Sequence, residues 1–163
     1  MKHIWIYGSS RVGKMTFIKT SFEDDVKKKA FLGCSKRDSI QALEEYYRDM
    51  KTLISEFNKV KTDYVLIKFQ YEYNKNEGFS EFLNSSKVYN KAILICCRDL
   101  EKQAKRINER YGDKVTIENI KHCLRTDYKF LKSNFPQRDI LLVKNDRRVY
   151  SVIDNEEFQC LIG

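Results

Sequence analysis

Residues 2–22 read KHIWIYGSSRVGKMTFIKTSF, and the reading of residues 8–16 within them, GSSRVGKMT, decides the fold. HIWIY at 3–7 is short, apolar and rich in β-formers, the pattern of a buried strand. From Lys14 to Phe22, the apolar residues Phe17, Ile18 and Phe22 fall on one side of a helix. Between strand and helix, Gly8, Gly13 and Lys14 match G-x-x-x-x-G-K-[ST], but Met15 stands where the pattern has a hydroxyl.

Position gives this pattern its meaning. A glycine-rich turn between a strand and a helix folds tightly enough for successive N–H groups to point inward at an anion. The helix N-terminus adds its partial positive charge. The backbone of Gly8, Ser9, Ser10, Arg11, Val12, Gly13, Lys14 and Met15 is therefore expected to cradle phosphate, with Lys14 reaching the β and γ groups. A thioether at Met15 is a poor ligand for a hard cation, which passes the hydroxyl role to Thr16.

Working outward, Ala30–Gly33 reads as a second short strand after a charged loop at Glu23–Lys29. Asp38–Val60 reads as one long helix, capped by Asp38, with Ile40, Leu43, Tyr47, Met50, Ile54 and Phe57 as its stripe. Apolar strands are expected at 62–69, 92–97 and 139–144, with an edge strand at 149–153. Helices are expected at 78–85, 99–111, 116–135 and 154–160, with Gly112 and Pro136 as stops. Near-continuously apolar strands alternating with amphipathic helices predict a mainly parallel sheet of about five strands, with helices on both faces. Right-handed crossovers put all the strand C-terminal ends, and hence the ligand edge, beside the glycine turn.

Bulk properties narrow the classes. With 163 residues, one proline and six glycines, the chain suits one domain of long regular elements. No apolar run approaches the ~18 residues of a membrane span, and the short apolar start runs directly into the glycine turn rather than into a signal-peptide pattern. Five cysteines without C-x-x-C, together with only two histidines, His3 and His122, argue against zinc, and free thiols point to a reducing, cytoplasmic setting. Both histidines read as structural, and Cys96 and Cys97 as small hydrophobes in an apolar strand. The net charge of +8 favours anionic partners without choosing between a nucleotide and a nucleic acid.

The stretch GKMT at 13–16 resembles the G-K-x-T form found in nucleoside monophosphate kinases and related small-molecule kinases. That resemblance implies a phosphate-loop NTPase fold over residues 1–163, ATP and Mg²⁺ as cofactors, and phosphoryl transfer to a small acceptor, a nucleoside or deoxynucleoside monophosphate. It also implies roles for residues elsewhere. Asn145 and Asp146 follow the last apolar strand, where the family lays a turn beside the nucleotide base. Arg98, Arg106, Arg110 and Arg125 lie where the family carries arginines that clamp the transferring group, and Arg106 and Arg110 share a helical face. Arg37 falls where the acceptor region begins.

The chain departs from the family in two places. No aspartate ends the strand YVLIKF, so Glu72 becomes the metal-orienting candidate beside Thr16, with Asp99 a second. GDK at 112–114 is too short for the arginine-bearing lid of larger kinases. Tyr71 and Tyr73 alternate as a strand extension would present them, which suits packing in the core or loop and also stacking on a base such as the acceptor's. Two other functions stay open: a nucleotide-binding or interaction protein whose degraded loop has lost turnover, and a kinase or NTPase acting on nucleic acid. A GTPase is disfavoured, because LVKND at 142–146 does not match N-K-x-D. A homodimer is compatible with the sequence.

Overall fold

The computed structural model describes residues 2–9, 11–43, 49–68, 78–85 and 89–163. Six strands form one sheet: β1 (Lys2–Tyr7), β2 (Ile40–Leu43), β3 (Tyr64–Lys68), β4 (Asn90–Cys97), β5 (Ile140–Asp146) and β6 (Val149–Ile153). Their order is β2-β3-β1-β4-β5-β6. The first five are parallel and β6 returns antiparallel to β5. From β1 the chain passes to β2 and β3 on one side, then to β4 on the other. The strand order therefore reverses beside β1, which is where open α/β sheets bind ligands.

Burial on both faces of the central strands follows from their composition. Residues 3–7 of β1 and 92–97 of β4 are all buried, as continuous apolar runs in a covered parallel sheet should be. His3, Trp5 and Tyr7 share one face by strand alternation. Trp5 packs edge-on against Phe57 of α3 (Met50–Lys59) and Phe79 of α4 (Phe79–Ser85), and Tyr7 meets Phe130 of α6 (Ile117–Asn134). Ile4 and Ile6 are fully buried on the opposite face. Phe17 of α1 (Lys14–Glu23) packs against Phe31 and Tyr150, and α1 lies across β3. This is a three-layer α/β fold with a mainly parallel sheet.

Two segments differ from expectation. Residues 25–32 are helical: Asp24 caps α2 (Asp25–Lys27) by accepting from the amides of Val26 and Lys27, and a π-helical turn over Lys28–Leu32 continues to Gly33. The expected loop at Glu23–Lys29 and strand at Ala30–Gly33 thus give way to the end of α1 at Glu23, an extended break at Asp24 and one helical stretch over 25–32. It ends at Gly33, whose φ of 70° supplies the left-handed terminator. The expected helix at 38–60 is instead strand β2 followed by α3. Asp38 turns back to accept from the Ser35 amide at 2.7 Å, and Asp49 is the true cap, accepting from the Thr52 amide at 2.7 Å.

The later helices stand where the sequence places them. Asp99 caps α5 (Leu100–Tyr111), and Gly112 ends it at φ 68°. A Thr116–Asn119 capping box opens α6, and Asp154 caps α7 (Asn155–Ile162). No helix among the described residues is long and apolar enough to cross a membrane.

Candidate phosphate-binding site

The glycine loop leaves β1 at the reversal point. A side chain at Gly8 would put its Cβ 2.6 Å from Val12 Cγ1 and 3.1 Å from the Ile95 carbonyl, so the loop closes on itself only with glycine there. The Val12 amide reaches back to the Ser9 carbonyl at 3.3 Å. Gly13 stands at φ 100°, and a Cβ on it would lie 2.7 Å from both Asn145 Nδ2 and Tyr150 Oη. Helix α1 begins at once, and no side chain caps its N-terminus. The first amides of a helix have no partner within it, so they face the loop as donors for an anion.

Lys14 completes the loop. Its ammonium group donates to the carbonyl of Gly8 and reaches that of Ser9 at 3.5 Å. Only 9 % of the residue is exposed. Burial pushes its pKa down to about 8, and the charge of Lys68 pushes the same way against an opposing pull from Asp127. A lysine held inside its own phosphate loop, with its charge penalised by burial and by a second lysine, is a cation that an arriving anion relieves.

Four side chains hold the loop from outside. Asn145 Nδ2 donates to the Val12 carbonyl at 2.8 Å, while its Oδ1 accepts from the Arg148 amide at 2.9 Å. Tyr150 Oη donates to the Gly13 carbonyl at 2.8 Å. Gln103, fully buried on α5, donates to Ser9 Oγ at 2.6 Å. Arg106 approaches the Arg11 carbonyl at 3.5 Å and Cys97 Sγ at 3.7 Å. The sequence reading missed Gln103 and Tyr150. Each lies about 100 or more residues from the loop it holds (94 for Gln103, 137 for Tyr150), and neither belongs to a local motif.

Beside the loop opens a cleft of about 1070 Å³, floored by residues 11–16 and walled by Lys68, the start of α5 and the β5–β6 turn. Nine of its lining side chains are basic and three acidic, which sets the charge of any ligand. Arg106 and Arg98 line it, Arg98 through an ion pair to Asp146 at 2.7 Å. Arg110 and Arg37 are exposed and lie outside the lining, so the structure does not bring Arg110 beside Arg106 at one anion. Arg125 holds the carbonyl of Ile162 at the end of α7. Arg147 and Arg148 form the tip of the β5–β6 hairpin with φ of 53° and 69°. His3 is buried among aromatic rings and His122 is exposed on α6. Cys96 and Cys97 are buried, and burial raises both thiols, Cys96 to about 12.

The magnesium ion that the resemblance implies does not fit the described residues. Met15 offers a thioether, and Thr16 sits exposed beside Tyr150. Strand β3 is described as far as Lys68, a cation, and the positions beyond it that were expected to carry the acid lie outside the described residues. Asp99 is engaged as the cap of α5 and Asp146 as the partner of Arg98. Among the described residues, no group of three His, Cys, Asp or Glu side chains stands together as a metal site. Ser10, Tyr71 and Glu72 lie outside the described residues.

Comparison with family models and with curated proteins finds no match. Among solved structures, the YGR205w protein aligns over 94% of this chain and 90% of its own at 11% identity and a TM-score of 0.40. FlhF, crystallised with GMPPNP and Mg²⁺, aligns over 99% of this chain and 74% of its own at 14% identity and a TM-score of 0.39. Similarity at this level says nothing of ligand or chemistry; those rest on the residues of the loop and cleft.

Proposed function

We propose that this chain binds a nucleoside triphosphate by its phosphates in the loop at 8–16. We further propose that it passes the terminal phosphoryl group to a small phosphorylated acceptor, a nucleoside or deoxynucleoside monophosphate. The observation that carries the reading is the buried Lys14 ammonium inside the glycine loop, at the floor of a basic cleft. About 1070 Å³ exceeds what a single drug-sized ligand fills, so donor and acceptor can lie in it together. Phosphoryl transfer asks the protein for positioning and charge neutralisation rather than covalent chemistry. Lys14, Arg106 and the α1 N-terminus are the groups for the donor, and Arg98 is an acceptor-side candidate.

A second reading is favoured by Met15 and Lys68: binding without turnover, in which nucleotide serves assembly or regulation. ATP turnover measured across the common nucleoside and deoxynucleoside monophosphates, beside Lys14→Ala and calorimetric ATP titration, separates the two. Acceptor-dependent ADP release that vanishes in Lys14→Ala supports transfer. ATP binding without turnover for any acceptor supports the second reading. No binding removes both.

A further inference from the structure

The apolar stripes of α5 and α6 each run one residue past the core. On α5, Leu100, Ala104 and Ile107 are buried, while Tyr111, the next member of the stripe, is 57% exposed. On α6, Ile120, Leu124 and Leu131 are buried, while Ile117, one turn before Ile120, is 37% exposed. Both overrunning residues line the phosphate cleft. Among the described residues that line it, they are the large apolar side chains left exposed.

The corner that carries them is fixed in advance. Asn108 holds Val115 by its amide at 2.7 Å and by its carbonyl at 3.0 Å. Gly112 turns the chain out of α5 in the left-handed region, and the Thr116–Asn119 box starts α6. Tyr111 and Ile117 flank this braced turn, so a ligand need not order it on arrival.

We propose that this corner is the base subsite of the cleft: with the triphosphate on the loop at 8–16, the nucleobase packs on Tyr111 and Ile117, rather than beside the β5–β6 turn where the family resemblance lays it.

Reach agrees with this placing. Arg106, at the Arg11 carbonyl of the loop, lies five residues before Tyr111 on the same helix, about 8 Å of axial rise. A ribose fills a gap of that order between its phosphates and its base. A nucleobase offers a flat apolar face, and a tyrosine ring with an aliphatic neighbour is the surface that holds one whatever its hydrogen-bonding edge. The β5–β6 turn is otherwise employed. Asn145 spends its side chain on the Val12 carbonyl and the Arg148 amide, and Asp146 is paired with Arg98. The Tyr150 ring packs on Phe17 at 5.2 Å while its hydroxyl holds Gly13. This assignment rests on the nucleotide-binding part of the reading above and is independent of whether transfer follows.

The test compares ATP with inorganic tripolyphosphate, a base-free probe, by calorimetric titration of the full chain with Mg²⁺ and in EDTA. Wild type should bind ATP about tenfold more tightly than tripolyphosphate, the share of one stacked base. Tyr111→Ala should lose that margin on ATP and leave tripolyphosphate unchanged. Tyr111→Phe, which keeps the ring face, should retain the margin. The chain's single tryptophan, Trp5, is fully buried, so Tyr111→Trp places a reporter at the corner whose fluorescence ATP should quench and tripolyphosphate should not. Equal affinity of wild type for the two probes overturns the inference and leaves phosphate binding by the loop standing. So does a Tyr111→Ala variant that binds ATP as wild type does, or that weakens both probes alike. ATP binding to Tyr111→Trp without quenching overturns it too, and decides the matter even where Tyr111→Ala does not fold. Failure of both probes to bind wild type in either condition overturns the nucleotide reading and the inference together.

Discussion

Asn145 Nδ2 donates to the carbonyl of Val12 at 2.8 Å, tying the end of β5 to the glycine loop across 133 residues of sequence. With Tyr150 on the Gly13 carbonyl, it fixes the two peptides that precede Lys14. The phosphate loop is thus held by side chains outside its own motif.

Removing these braces should loosen binding more than folding. Asn145→Ala and Tyr150→Phe are each expected to cost about 1 kcal/mol of stability, the net worth of one hydrogen bond. Each should also weaken ATP binding by about tenfold, because the loop is no longer preorganised. Urea unfolding and calorimetry read the two effects separately. Gly13→Ala should do worse on both counts, by about 2 kcal/mol or more in stability. Its Cβ meets both braces at 2.7 Å in a backbone at φ 100°.

Lys14 sets a pH dependence. Its pKa in the fold is about 8 against an ordinary 10.5. Between those values the unfolded chain holds a proton that the folded chain has released, so this residue's contribution to stability rises with pH across the window. Below pH 8 the buried charge costs the ligand-free fold on the order of 3 kcal/mol, part of which its bonds to the loop carbonyls recover. Lys14→Met should therefore be at least as stable as wild type at pH 7, with its advantage shrinking towards pH 10, while ATP binding disappears. An anion seated on Lys14 raises its pKa again, so ATP titrations near pH 8 should take up protons. Varying the ionisation enthalpy of the buffer measures that uptake.

His3 sets the opposite limit. It stacks on Phe57 at 4.6 Å between ring centroids, and burial pushes its pKa down to about 4 from 6.5. Here too the unfolded chain binds the extra proton, now as pH falls through 6.5 towards 4. The fold should lose about 3 kcal/mol over that interval. His3→Phe should flatten the acid limb of a stability–pH curve, and an unchanged limb would assign the loss to other groups.

The hairpin tip carries strain. Two consecutive left-handed residues form the two-residue turn that Asn-Gly suits, yet Arg147 and Arg148 occupy it. Replacing the pair with Asn-Gly should stabilise the fold by on the order of 1 kcal/mol. Both arginines line the cleft, so the same change should weaken ATP binding several-fold. Thermal unfolding and calorimetry on one variant show both effects. A gain in stability with unchanged binding would take the two arginines out of the site.

How much of this was legible in the sequence depended on the range of the forces involved. The β1–loop–α1 unit was readable because strand, glycines, lysine and helix are consecutive. β4, α5 and α6 were readable because their apolar runs are long and their caps local. The segment at 38–60 misled because Ile40 and Leu43 are spaced as well for a helix as for the short edge strand they form, and a strand of four residues carries no period of its own. Its partner β3, not its own pattern, makes it a strand. The helical stretch at 25–32 was hidden by AFLG, whose Phe31 and Leu32 face the core from a π-turn rather than from a pleat. In the site, the loop was legible from its own residues, and Asn145, Arg98 and Arg106, which line the cleft, were named only through the family resemblance. That Asn145, Tyr150 and Gln103 converge on it, that Arg110 and Arg37 lie outside the cleft, and that Lys68 stands beside Lys14 are consequences of strand order, which no local pattern encodes.

The two braces also set when the site comes into being. The glycine loop is made early in synthesis, yet the residues that hold it, Asn145 and Tyr150, follow 133 and 137 positions later. Contacts of such long sequence separation close slowly, after the local helices have formed. A growing chain that has reached α6 already owns its lysine and both loop glycines, and still has no finished phosphate cradle. On the function proposed above, nucleotide binds the finished cradle alone, and it stabilises the last step of folding rather than the first.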